Sequence, residues 1–218
     1  MKTRDRILVA SLALFNEEGE AHTTTIDIAA VLDISPGNLY YHFRGKDQII
    51  QELFAQFEQA LGETLKAPLE RPLGTPGKVE DNWYYLYVVL EDMWQYRFFY
   101  HNLDNILQRY PDIRRSFRRL LQRQRETLLA IGRNLLDQAV ISVDNEQLQN
   151  LVDNMSLTLT FWFSYEQLLC RQRSAQLTIH QGVLQLLTLV APYLGNAQLA
   201  FYRDCQAISA TMLQQARP

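Results

Sequence analysis

Tyr40, Tyr41 and His42 stand side by side in LDISPGNLYYHFRGKDQII, residues 32–50, directly after a Ser-Pro-Gly break. A side chain that joins a flat ring to a hydrogen-bonding tip suits two settings. One is the rim of a core; the other is a surface offered to base edges, thymine methyls and phosphate oxygens. Ser35, Gly37 and Asn38 precede the three rings, Thr24 and Thr25 lie a short way upstream, and Lys46 follows. These types can bind phosphate through hydroxyls, backbone N–H groups and an ammonium. Catalytic arrangements are not legible. His22, His42, His101 and His180 are scattered, none with a second His, Cys or carboxylate at metal-ligand spacing. No glycine-rich phosphate loop occurs. Cys170, beside Arg171 and Arg173, is at most a weak thiol sensor. The chain reads as a non-enzyme with no cofactor and no metal.

Helices must position these residues. Apolar residues recur at three- and four-residue spacing along most of the chain, which predicts an all-α protein. A first helix over about 2–18 turns Ile7, Leu8, Leu12, Leu14 and Phe15 inward and stops at Gly19. Thr23, Thr24 and Thr25 offer N-caps to a short second helix with Ile26, Ile28, Ala29 and Leu32. Ser35 then caps a third, with Pro36 in its first turn. In that third helix Leu39 and Phe43 are four apart and share the buried side, so Asn38, Tyr41 and His42 fall on other faces. A longer fourth helix starts near Lys46. Two short helices across a tight turn have the outline of a helix-turn-helix.

KAPLERPLGTPGK, residues 66–78, breaks the helical pattern and predicts a linker. Beyond it lies an aromatic-rich body. Trp83, Tyr87, Trp94 and Phe98 fall in one dense segment, Phe161 and Phe163 in another. They fit either ordinary packing or the wall of a pocket for a flat or lipophilic ligand. The arginines between 97 and 133 read as a solvated helix face, with Arg114 and Arg118 as possible attractors of an anionic ligand. The helices LVDNMSLTLTFWFSYEQLLC and TIHQGVLQLLTLVAPYL are apolar beyond one stripe. They are therefore covered either by a second copy or within the monomer.

At 218 residues with 47% hydrophobic and 21% charged positions, the chain is long enough to bury a sizeable core. The formal net charge of −3 excludes bulk polycation behaviour, so DNA contact would need a local patch. Residues 1–50 carry Asp5, Glu17, Glu18, Glu20, Asp27, Asp33 and Asp47 against Lys2, Arg4, Arg6, Arg44 and Lys46. DNA binding then requires the acids to turn away from the binding side. Two cysteines, no secretory leader and no apolar run approaching the roughly 18 residues of a membrane span predict a cytoplasmic protein without membrane contact.

TTTIDIAAVLDISPGNLYYHFRGKDQII resembles the DNA-binding domain of the TetR (tetracycline repressor) family of bacterial regulators. The threonine-capped second helix, the ISPGNLYYHF turn and third helix, and the GKDQII start of the fourth match in order and spacing. The resemblance implies a helix-turn-helix domain over 1–46 and a helical effector-binding and dimerisation domain over 47–218. It implies a ligand-responsive repressor that binds a palindromic operator in double-stranded DNA as a homodimer, through helices near 147–171 and 178–194. DNA contacts would fall on Thr24, Thr25, Ser35, Gly37, Asn38, Tyr40, Tyr41, His42 and Lys46. An unidentified small-molecule effector would bind among Trp83, Tyr87, Trp94, Phe98, Phe161 and Phe163. AAVLD ends the second helix without the basic residue many members carry there. A helical carrier or protein-interaction module that does not read DNA is the alternative.

Overall fold

A computed structural model describes residues 1–70, 79–169 and 173–215. Residues 71–78 of the predicted linker, and Cys170 and Arg171, lie outside the described residues. Among those described, regular structure is helical throughout, as the spacing predicts. The helices are α1 (Thr3–Glu18), α2 (Thr25–Val31), α3 (Pro36–His42), α4 (Lys46–Lys66), α5 (Val79–Gln95), α6 (Arg97–His101), α7 (Leu103–Arg109), α8 (Pro111–Asp137), α9 (Asn145–Leu168), α10 (Ala175–Val190) and α11 (Gln198–Gln215). They pack as two compact units. One comprises Met1–Ala60 with Gln95–Arg118, the other Leu61–Trp94 with Arg119–Pro218.

In the first unit, the caps read from sequence are formed. Thr24 and Asp27 make a reciprocal capping box on α2, and the Ser35 hydroxyl accepts from the Asn38 N–H to start α3. The turn between them passes through Asp33 at φ 53°, left-handed backbone that costs a residue with a Cβ. Ile7, Phe15, Ile28, Leu39, Phe43, Ile49 and Ile50 are buried around this turn. Leu12 and Leu14 are only half-buried, and Ser11, whose hydroxyl donates to the Ile7 carbonyl, takes the inner position instead. Ile26 on α2 is exposed. Asn16 clasps the later segment, donating to the Gln95 carbonyl and accepting from the Phe98 N–H. Phe98 then packs on Phe15, with ring centroids 5.3 Å apart.

In the second unit α9 and α10 lie side by side. The Trp162 indole donates to the Thr178 carbonyl at 3.0 Å. A Cβ at Gly182 would lie 2.8 Å from Trp162 Nε1 and 2.9 Å from Leu90, so glycine is what lets α10 approach. Glycine here serves contact within the chain. Thr160 is likewise buried, while Thr158 is half-buried and Thr188 exposed.

Candidate nucleic-acid interface and effector cavity

α3 is too short to be stable alone, so packing must hold it. Leu39 and Phe43 supply that packing, both essentially inaccessible, and Ser35 with Pro36 fixes its start. The remaining side chains face outward. Ser35, Gly37, Asn38, Tyr40 and Tyr41 are exposed, and His42 is half-buried with its ring against the edge of Tyr41. Tyr41 is 86% exposed, an extreme value for a tyrosine with no packing role. The Tyr40 hydroxyl is 3.1 Å from the Thr25 hydroxyl, which joins the exposed face of α3 to the start of α2. The Thr24 hydroxyl and N–H bind the Asp27 carboxylate and hold it below its ordinary pKa. Asp27 is thus committed to the helix end.

An open cleft of about 820 Å³ runs along this side, lined by Thr24, Thr25, Tyr40, Arg44, Lys46, Gln48 and Arg109 among others. It gathers four of the residues singled out by sequence, Thr24, Thr25, Tyr40 and Lys46; the other five lie on α3 and its cap. Arg44, Gln48 and Arg109 are additions. Arg44 sits one residue past the third helix, where its charge is a usable signal. Arg109 is contributed by α7, and nothing local in the sequence relates it to α2 or α3.

Lys46 has a structural task. Its ammonium donates to the carbonyls of Glu20 (2.8 Å) and Thr23 (3.1 Å) and pairs with the Glu20 carboxylate at 3.1 Å. Glu20 is only 5% exposed, so this acid is folded inward beside a cation and not turned away to solvent. Arg109 lies 3.8 Å from the same carboxylate and 2.9 Å from Asp47, which also accepts from the Tyr110 hydroxyl at 2.7 Å. That bond, with burial as the larger cause, pushes the Tyr110 phenol pKa upward. Near the N-terminus, Arg4 pairs with Glu52 at 2.9 Å and lies over the Phe43 ring, while Arg6 reaches the Leu32 carbonyl. Helix α1 begins at Thr3, so these arginines brace the head from a helix and do not form a free arm.

The second unit contains an apolar cavity of about 110 Å³ whose wall includes Tyr85, Leu86, Leu128, Ile131, Met155 and Leu187. None of the six aromatics expected to line a pocket is in that wall. Trp83 and Tyr87 pack on His180, at 5.8 and 5.1 Å between ring centroids. Trp94 meets Phe163 edge-on at 5.3 Å. Phe98 belongs to the core of the first unit, and Phe161 is 49% exposed on α9. Leu128, Ile131 and Leu135 read as the ordinary buried face of the long helix, because periodicity reports burial and not what lies opposite. Arg114 and Arg118 are exposed and absent from the wall.

A helix-turn-helix head followed by further helices that hold an apolar cavity is the architecture of a DNA-binding regulator. A family described as bacterial regulatory proteins, tetR family, matches residues 7–53, and one described as bacterial transcriptional repressor matches 56–202. The chain belongs to the TetR family of transcriptional regulators. It is similar over 100% of both chains to a TetR-family transcriptional regulator from Marinobacter aquaeolei VT8, with 34% identity and a TM-score of 0.81. It is 35% identical over 79 residues to the transcriptional repressor KstR2 of Mycolicibacterium smegmatis, covering 33% of this chain and 38% of that one. It is 33% identical over 73 residues to the probable acrEF/envCD operon repressor of Escherichia coli K12, covering 32% of this chain and 33% of that one. The matched stretches thus span little more than a third of these curated relatives' length. Among the described residues, no helix is long and apolar enough to cross a membrane.

Proposed function

We propose that the protein is a cytoplasmic, ligand-responsive repressor that binds a palindromic operator as a homodimer, without a cofactor. The single observation that carries this reading is α3: a helix whose buried anchors are Leu39 and Phe43, with Ser35, Gly37, Asn38, Tyr40 and Tyr41 exposed along it. Tyr41 and Asn38 would reach base edges in the major groove, and His42 would fix the Tyr41 ring. Thr24, Thr25, Ser35 and Tyr40 would meet the phosphate backbone, with Arg44 added to this set. Lys46 would act at the edge of the contact, by holding the loop that presents Thr24. In functional terms residues 1–46 read DNA and 47–218 bind effector and partner.

Dimerisation is assigned to α9 and α10. Leu157, Phe161, Tyr165 and Leu168 are exposed at three- and four-residue spacing on α9, a stripe that fits a second helix of the same kind. Half-sites read by such a dimer lie about 34–36 Å apart. An effector in the cavity of the second unit would need to favour one separation of the two heads over another, and coupling of about 1–3 kcal/mol suffices for regulation.

The decisive experiment is binding of the protein to DNA upstream of its own gene across a salt series, with Tyr41→Ala alongside. Expected is site-specific binding that weakens with salt, and a Tyr41→Ala variant about 5- to 150-fold weaker on the preferred site yet similar on random DNA. If neither the upstream region nor a pool of random duplexes yields a preferred site for the folded protein, the repressor reading is wrong.

A further inference from the structure

Among the described residues, three buried side-chain polar atoms lack a hydrogen-bond partner: Glu20 Oε1, Trp83 Nε1 and His180 Nδ1. Glu20 is accounted for by its cations. The other two are neighbours in one place. Trp83 on α5 is 1% exposed, His180 on α10 is 3% exposed, and their rings stack 5.8 Å apart with 30° between planes. Leaving an indole N–H and an imidazole nitrogen buried without partners costs about 1–3 kcal/mol each. Two such groups in contact mark a place built to receive a polar atom.

Their surroundings say what kind of atom. Trp83 is flanked along α5 by Asn82 and Leu86, both in the wall of the apolar cavity. His180 is seven residues before Leu187, hence on the same face of α10, and Leu187 is also in that wall. The ring pair thus precedes wall residues by about one turn on α5 and about two turns on α10. The described residues of the wall carry no charged side chain. Burial lowers the His180 pKa, so the imidazole is neutral near pH 7. A carboxylate or ammonium placed here would be buried without a counter-charge, which is strongly unfavourable. A carbonyl oxygen can accept from the indole N–H; a hydroxyl can accept from it and donate to an unprotonated imidazole nitrogen.

We propose that Trp83 and His180 form the polar end of the effector site, and that the effector is an uncharged, mainly apolar molecule carrying one hydroxyl or ketone group. The proposal rests on the reading that the second unit takes an effector, and it names the chemistry of that ligand. Tyr87 also packs on His180, with ring centroids 5.1 Å apart, and helps hold the imidazole.

Four probes of one size separate the possibilities: cyclohexanol, cyclohexanone, cyclohexane and cyclohexanecarboxylate. Each is titrated calorimetrically into the full-length protein at pH 7, without DNA. The alcohol should bind at least about tenfold more tightly than cyclohexane and the carboxylate, because its hydroxyl can serve both nitrogens; the ketone, which accepts from the indole N–H alone, should fall between. His180→Leu and Trp83→Phe should abolish that preference; His180→Leu, which removes an unpaired buried nitrogen at similar volume, should leave the thermal midpoint unchanged or higher. Equal affinity for cyclohexane and cyclohexanol would overturn the proposal. So would an unchanged preference in both variants, or no binding of any probe, which would leave the nitrogens to buried water. The readout involves no operator, so a failed DNA-binding experiment and a failed probe titration are separate results.

Discussion

Helices α3 and α9 both expose aromatic side chains, and they do so differently. On α3 the exposed rings are Tyr40 and Tyr41, bracketed by Asn38 and His42, so each ring has a polar tip or a polar neighbour. On α9 the exposed large apolar residues are Leu157, Phe161, Tyr165 and Leu168, a stripe with one hydroxyl in four. Exposure alone marks a surface open to contact; chemistry and spacing say which kind of partner it suits. Polar-tipped rings on a short helix suit the mixed surface of a DNA groove. An apolar stripe at helical spacing suits another helix.

The largest effect should separate the two helices from the inside. Leu39→Ala removes most of what pins α3 and should cost about 2–5 kcal/mol in urea unfolding, with operator binding lost in step. Leu157→Ala, already in solvent, should leave the stability of the isolated monomer within about 0.5 kcal/mol. If the two substitutions cost the same, the contrast between a buried anchor and an outward stripe fails. Next is Phe161→Glu, which should weaken self-association by about 2 kcal/mol or more by sedimentation equilibrium, while Tyr41→Glu leaves it unchanged. A monomeric wild type, or a Phe161→Glu variant that still dimerises fully, would assign the stripe to something other than a second copy. Thr24→Ala should cost about 1 kcal/mol through the lost capping box, and it should soften the head without changing the oligomeric state.

Acid should act on each unit as well. Burial, with Arg97 as a secondary cause, depresses the His101 pKa from 6.5 to about 4 in the first unit, and burial lowers that of His180 in the second. Each folded state then binds fewer protons than the unfolded chain between the two pKa values. The stability contributed by His101 is fully present above about pH 6.5 and is lost as the pH falls toward about 4. His101→Gln should flatten that part of a stability-versus-pH curve measured by thermal unfolding, leaving the His180 contribution in place.

The head was legible because its signals are local. A threonine cap, a Ser-Pro start and Leu39 and Phe43 one turn apart all lie within a few residues of what they determine. The cavity was not, because its wall draws on α5, α8, α9, α10 and α11. Phe98, Phe161 and Phe163 look alike in sequence, yet they end in the first unit's core, on an outer face and in the second unit's core. Only the long-range fold distinguishes them. Lys46 was misleading for a related reason: a lysine at a helix start looks free to take phosphate, whereas its partners, Glu20 and Thr23, lie more than 20 residues back.

That lysine has a mechanical consequence. It is the first residue of α4, and its ammonium grips two carbonyls of the loop leading into α2. The start of α4 is thereby stitched to that loop, and the Thr25–Tyr40 contact stitches the helix that follows it to α3, like successive knots on one thread.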